Sequence, residues 1–122
     1  MQFHPYLNFA GDCAEAFRFY ADLLGGELDI RTFAEMGMDA DLPEGWGDRV
    51  LHAALTVEHE LLLASDAPPG RYRKPAGNYV SLSVESLEEG RRIFDALADG
   101  AEIEMPFQET FWSPGYGMLV DR

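Results

Sequence analysis

From Phe3 to Phe9 the chain alternates. Phe3, Pro5, Leu7 and Phe9 fall on one side and His4, Tyr6 and Asn8 on the other, the two-residue period of a strand with one buried face. Gly11 interrupts the pattern, and Asp12 followed three residues later by Glu15 has the spacing of a capping box at a helix start. Cys13, Ala16, Phe17, Tyr20 and Leu24 then share one face at helical spacing, until Gly25 and Gly26 offer a stop. Alternation returns over Leu28–Phe33, Val50–Val57 and Glu60–Ser65, with Glu58-His59 as the tip of a hairpin.

The pattern then starts again. Tyr79–Val84 alternates like a strand, and Ser86 with Glu89 repeats the capping-box spacing. Leu87, Ile93, Phe94 and Leu97 continue as a helix ended by Gly100. A shift of 74 residues puts Asp12 on Ser86, Glu15 on Glu89, Tyr20 on Phe94 and Gly26 on Gly100 without a gap. Strands over Ile103–Trp112 and Tyr116–Asp121 follow, joined by the turn Ser113-Pro114-Gly115. Two such copies read as a duplicated half-domain rather than a solenoid. The predicted fold is α+β, a single domain over 1–122. Its half-repeats, 1–66 and 77–122, each follow a strand–helix–three-strand (βαβββ) plan and are joined by a linker at 67–76, with the last strand of the second copy absent.

Composition narrows the function. The 122 residues suit one domain, and 47% hydrophobic residues suffice for a core. Asp plus Glu number 22 against 9 Lys plus Arg, a net charge of −13 that disfavours nucleic acid and anionic membranes as partners. Neither a membrane-length apolar run nor a signal-peptide pattern is visible, and the lone Cys13 cannot form an internal disulfide, so a cytoplasmic protein is expected.

Two connections stand apart. Residues 34–48 are rich in Gly, Met and Asp around Trp46, either a cover for a site or a solvated hairpin connection pinned by Trp46. The linker carries Arg71, Arg73 and Lys74, which reads either as an anion or partner site or as a solvated stretch balancing local acidity.

Several stretches resemble a known family. They are His4-Pro5-Tyr6-Leu7, Ala14 to Tyr20, Ala64-Ser65-Asp66-Ala67-Pro68-Pro69-Gly70, Met105 to Trp112 and Tyr116 to Arg122. Together with the duplicated unit, they resemble the vicinal oxygen chelate superfamily of glyoxalase I, bleomycin-binding proteins and extradiol dioxygenases, and within it the PhnB-like branch. That resemblance implies curved mixed sheets forming a cavity, a homodimer and a pocket for a small organic molecule. The methyltransferase label attached to the branch finds no nucleotide-binding Gly-rich turn in this chain.

Metal-using relatives of this kind take ligands from inward strand faces, and His4 sits where the first would be. In the strand before the helix the repeat offset is 75, since Leu7 and Phe9 then meet Leu82 and Val84, and this sets Tyr79, a poor ligand for Zn or Ni, opposite His4. The reading is therefore a PhnB-like protein with a degraded or absent metal site and no cofactor. His4 is its acid/base group, and Tyr6, His52, Tyr79, Gln108 and Trp112 line the pocket. The first alternative is a glyoxalase-like lyase or extradiol-type dioxygenase, holding Zn, Ni, Fe or Mn through His4, His52 and Glu109. The second is a non-catalytic protein that sequesters a drug or metabolite. His59 begins a zinc-protease-like motif, but Leu63 stands where the second His belongs. Cys13 reads as a buried small residue, although its place in a first helical turn favours the thiolate.

Overall fold

A computed structural model describes every residue from Met1 to Arg122, in the order β1 (Tyr6–Phe9), α1 (Cys13–Leu24), β2 (Glu27–Thr32), β3 (Val50–Val57), β4 (Glu60–Asp66), α2 (Leu87–Ala98), β5 (Glu102–Gln108) and β6 (Tyr116–Val120). The chain is α+β, and it divides into two units, Met1–Val80 and Ser81–Arg122.

In the first unit the strands form one mixed sheet in the order β1-β4-β3-β2, with β1 parallel to β4 and the other neighbours antiparallel. Helix α1 covers one face. Cys13, Phe17, Val50, Ala53, Leu55 and Ala64 form the core there, with Leu7, Phe9, Tyr20, Leu28, Ile30 and Leu62 packed around them. The helix stops where expected: Gly25 has φ +73 and its N–H donates to the Ala21 carbonyl. Gly26 lets the turn lie directly against β3, since a Cβ there would sit 2.7 Å from Leu55 Cδ1 and 2.8 Å from the Thr56 carbonyl. An irregularity between Arg31 and Thr32 pairs Arg31 with His52 but Thr32 with Val50, and Val50 is buried.

The start of α1 departs from expectation. Asp12 makes no side-chain cap. The acceptor comes instead from Asp66, at the end of β4: its Oδ1 accepts from Gly11 N–H and Cys13 N–H, each at 3.0 Å, and its Oδ2 accepts from Val50 N–H at 2.9 Å. At 2% exposure, Asp66 joins the beginnings of α1 and β3 to the end of β4. Arg49 adds a bond from Nη1 to the Gly11 carbonyl at 2.9 Å.

The long connection after β2 is closed at its base. Phe33 N–H donates to the Arg49 carbonyl at 3.1 Å, Ala34 N–H donates to the Gly47 carbonyl at 2.9 Å, and the Trp46 ring lies edge-on to Phe33 at 6.2 Å between centroids.

In the second unit α2 accompanies the antiparallel pair β5-β6. Ser86 caps α2 as its position suggests, its hydroxyl accepting from Glu89 N–H at 3.1 Å. The Glu89 carboxylate turns to Arg92 instead of back to the cap. Phe94 and Phe107 pack against each other, and Gly117 lies close to both.

Two predicted strands need correction. Tyr79–Val84 carries no strand pairing. Alternation alone does not make a strand, because the backbone groups need a partner ladder. Neither sheet, β1-β4-β3-β2 or β5-β6, takes this stretch in as a neighbour. Likewise, β5 ends at Gln108, whereas the pattern predicted a strand to Trp112. A local turn takes over beyond Gln108. Thr110 N–H donates to the Ser113 carbonyl at 2.8 Å, and Ser113 N–H donates back to Thr110 Oγ1 at 3.1 Å.

Candidate functional site

The face of the first sheet opposite α1 is set by register. Tyr6 pairs with Leu63, Leu63 with Ala54 and Ala54 with Asp29, so these four share a face. Two residues along each strand add Asn8, Ser65, His52 and Arg31 to it. Asn8 and Ser65 are joined by a hydroxyl-to-carbonyl bond at 3.3 Å. The Tyr6 and His52 rings are neighbours, with centroids 6.4 Å apart and planes tilted by 40°. A phenol and an imidazole beside a leucine and an alanine give this face donors and acceptors on an apolar floor.

Along its β1 border runs a cleft of about 510 Å³, lined by Pro5, Tyr6, Leu7, Asn8, Arg73, Pro75, Asn78, Tyr79 and Val80. Strand β1 with Pro5 forms one wall, and the linker with the residues just after it, Asn78 to Val80, forms the other. Tyr6 is 49% exposed and Tyr79 60%, so the wall is open to an incoming molecule.

The predicted site residues fall into separate groups. Tyr6 and Tyr79 line the same cleft, and Tyr6 links it to His52 on the sheet face. His4 is exposed and precedes β1, which starts at Tyr6 rather than Phe3. Gln108 is the last residue of β5, while Glu109 and Trp112 belong to the turn beyond it, so Gln108, Thr110 and Trp112 do not alternate along one strand as predicted. Trp112 instead forms an aromatic cluster with Phe111 and Tyr116, at centroid distances of 4.6 Å and 5.5 Å.

A metal of the kind the resemblance implies needs several converging donors. No group of three or more His, Cys, Asp or Glu side chains is placed to hold a metal ion.

Cys13 is a core residue in the first turn of α1. Burial, followed by the carboxylates of Asp66 and Asp12, pushes its thiol up to about 12 from the usual 9.0. That is opposite to the lowering a first helical turn suggests, because desolvation and two nearby negative charges outweigh the helix dipole. The residue that sequence reasoning missed is Asp66. Its signal was parity: Leu62, Ala64 and Asp66 alternate onto the buried face of β4, where a carboxylate must find donors.

No helix of the chain is long and apolar enough to cross a membrane. The family model described as the Glyoxalase/Bleomycin resistance protein/Dioxygenase superfamily matches residues 2–122. The chain is similar to Protein YjdN of Escherichia coli (strain K12), 36% identical over 131 aligned residues that cover 100% of this chain and 89% of that protein. Among solved structures, protein PA1353 from Pseudomonas aeruginosa superposes with a TM-score of 0.86 at 41% identity, covering 100% of this chain and 90% of the other. The PhnB protein from Bacillus cereus superposes with a TM-score of 0.73 at 24% identity, covering 99% and 92%, a likeness of fold.

Proposed function

The chain belongs to the Glyoxalase/Bleomycin resistance protein/Dioxygenase superfamily, and we propose that within it the chain is a PhnB-like protein that binds a small organic molecule without a metal. The superfamily reuses one scaffold for many chemistries, so the reading rests on the site and not on the fold. The observation that carries it is the cleft of about 510 Å³ whose Tyr6 wall continues to His52 on the open sheet face. That volume lies within the ~300–1,000 Å³ usual for small-molecule pockets. Tyr6 and Tyr79 supply ring faces for an apolar body, and Asn8 and Asn78 supply amides that orient a polar group. His52 is the group best suited to exchange a proton with a ligand that reaches over Tyr6.

The test pairs elemental analysis of the dialysed protein with a fragment screen read by amide chemical shifts. We expect fragments that shift Asn8 and Asn78 and lose affinity in Tyr6→Ala, with no stoichiometric metal. Near-stoichiometric metal that His4→Ala or His52→Ala removes would overturn the reading in favour of a lyase or dioxygenase.

A further inference from the structure

We propose that the cleft between β1 and the linker selects a small organic oxyanion, a carboxylate or phosphate on a flat apolar body, with Arg73 as its counter-charge. This deepens the reading of the cleft as a ligand pocket and rests on it.

The first ground is the distribution of charge. Acidic residues outnumber basic ones 22 to 9 along the chain, yet no Asp or Glu lines this cleft and its one formally charged residue is Arg73. Arg71 and Lys74 lie within two residues of it in the chain and add positive charge to the same linker. Arg73 is also unspent: it takes part in neither the Arg31–Asp29 nor the Arg92–Glu89 ion pair. A guanidinium offers a planar fork that matches carboxylate and phosphate oxygens, and such charge-assisted bonds are about twice as strong as neutral ones.

The second ground is the chemistry around that charge. Asn8 Oδ1 accepts from Ser65 Oγ at 3.3 Å, which leaves the Asn8 Nδ2 as a donor at the cleft. The second amide, Asn78, lies on the linker wall. Rings of Pro5, Tyr6, Pro75 and Tyr79 and the side chains of Leu7 and Val80 make up the remainder. Flat ring faces favour a planar body, and donors beside a cation favour an oxyanion at its end.

The experiment is an NMR titration of the full chain with benzoate, phenyl phosphate, benzylamine and benzyl alcohol, at low salt and at about 0.3 M salt, where charge contacts at an exposed site are screened. Both anions are expected to shift Asn8 and Asn78, more weakly at high salt. Arg73→Gln is expected to weaken them about tenfold or more, the scale of one charge-assisted contact. The ratio of benzoate to phenyl phosphate affinity then identifies the preferred headgroup. Arg18→Gln, on the exposed side of α1, should change nothing. Benzylamine or benzyl alcohol binding as tightly as the anions, or an Arg73→Gln effect below about threefold, would overturn the proposal. If benzyl alcohol binds and only Tyr6→Ala removes it, the cleft remains a pocket and its anion selectivity fails. If none of the four compounds shifts these residues, both readings fail.

Discussion

Replacing Asp66 with alanine removes one acceptor group from three backbone donors, and the structure allows the loss to be worked out. The Cys13 and Val50 N–H groups that bond to this carboxylate lie in buried surroundings, while the Gly11 N–H is only partly buried and can turn to water. A buried donor left without a partner costs ~1–3 kcal/mol, so two of them sum to ~2–6 kcal/mol before any cavity is counted. Whole domains are stable by ~5–15 kcal/mol, which makes this a large share. With a mid-range urea slope of ~2 kcal/mol per M, the unfolding midpoint followed by circular dichroism should fall by ~1–3 M. Asp66→Asn separates the two halves of the interaction. It can keep the Oδ1 acceptor for Gly11 and Cys13, but sets an NH₂ against the Val50 N–H that now lies 2.9 Å from Oδ2. Asn should therefore fall between the parent and Ala. An Asp66→Ala protein within ~1 kcal/mol of the parent would refute the reasoning, since it would mean that the donors find other partners.

Cys13 should resist thiol reagents at pH 8 in the folded protein and react only at the rate of unfolding; rapid stoichiometric labelling in native buffer would contradict this. Because its folded value is raised to about 12 from 9.0, the folded chain keeps a proton the unfolded chain loses. Its contribution to stability is thus whole below pH 9 and falls between 9 and about 12, at up to ~1.4 kcal/mol per pH unit, which alkaline urea titrations of the parent and Cys13→Ala will compare. At the end of α1, Gly26→Ala forces a Cβ against Leu55 and the Thr56 carbonyl and should destabilise by ~1–3 kcal/mol in thermal melts. The neighbouring Gly25→Ala meets no atom within 4 Å but retains φ +73, so its loss should be the strain alone, ~1–2 kcal/mol. Ser86→Ala should lose ~1 kcal/mol of cap energy at α2, whereas Glu89→Gln, which breaks only an exposed pair, should leave the melt unchanged.

Much of this fold was legible because its signals are local. Alternation located β2, β3 and β4 to within a residue or so, and helical spacing located α1 and α2. The misses share a cause: each depends on a partner outside the window that was read. Tyr79–Val84 has the alternation of a strand and lacks a ladder to join. Gln108, Thr110 and Trp112 have strand parity, yet the Thr110 hydroxyl bonds to Ser113 and ends the strand first. Asp12 looked like the cap of α1, and the true acceptor stands 53 residues from Cys13. For the site, the aromatic walls at Tyr6 and Tyr79 and the neighbouring His52 were visible as residue types on strand-like faces. Arg73 was visible as one of three linker cations with two open readings; its place on the cleft shows only once β1 is laid beside it.

The closed base of the connection between β2 and β3 makes its tip interchangeable. The bonds from Phe33 to Arg49 and from Ala34 to Gly47, with Trp46 held on Phe33, join the two ends of the excursion; Met38 N–H adds a bond to the Phe33 carbonyl at 2.9 Å and Asp39 lies against Gly47, so the tip beyond this base is residues 40–45. Closure entropy rises by only ~0.6 kcal/mol for each doubling of loop length, so extra residues at the tip add little strain. The same bonds would keep the two fragments together after a protease cut the tip. This is the place in the chain where an epitope, a reporter or a whole guest domain can be spliced in while the sheet behind it stays assembled.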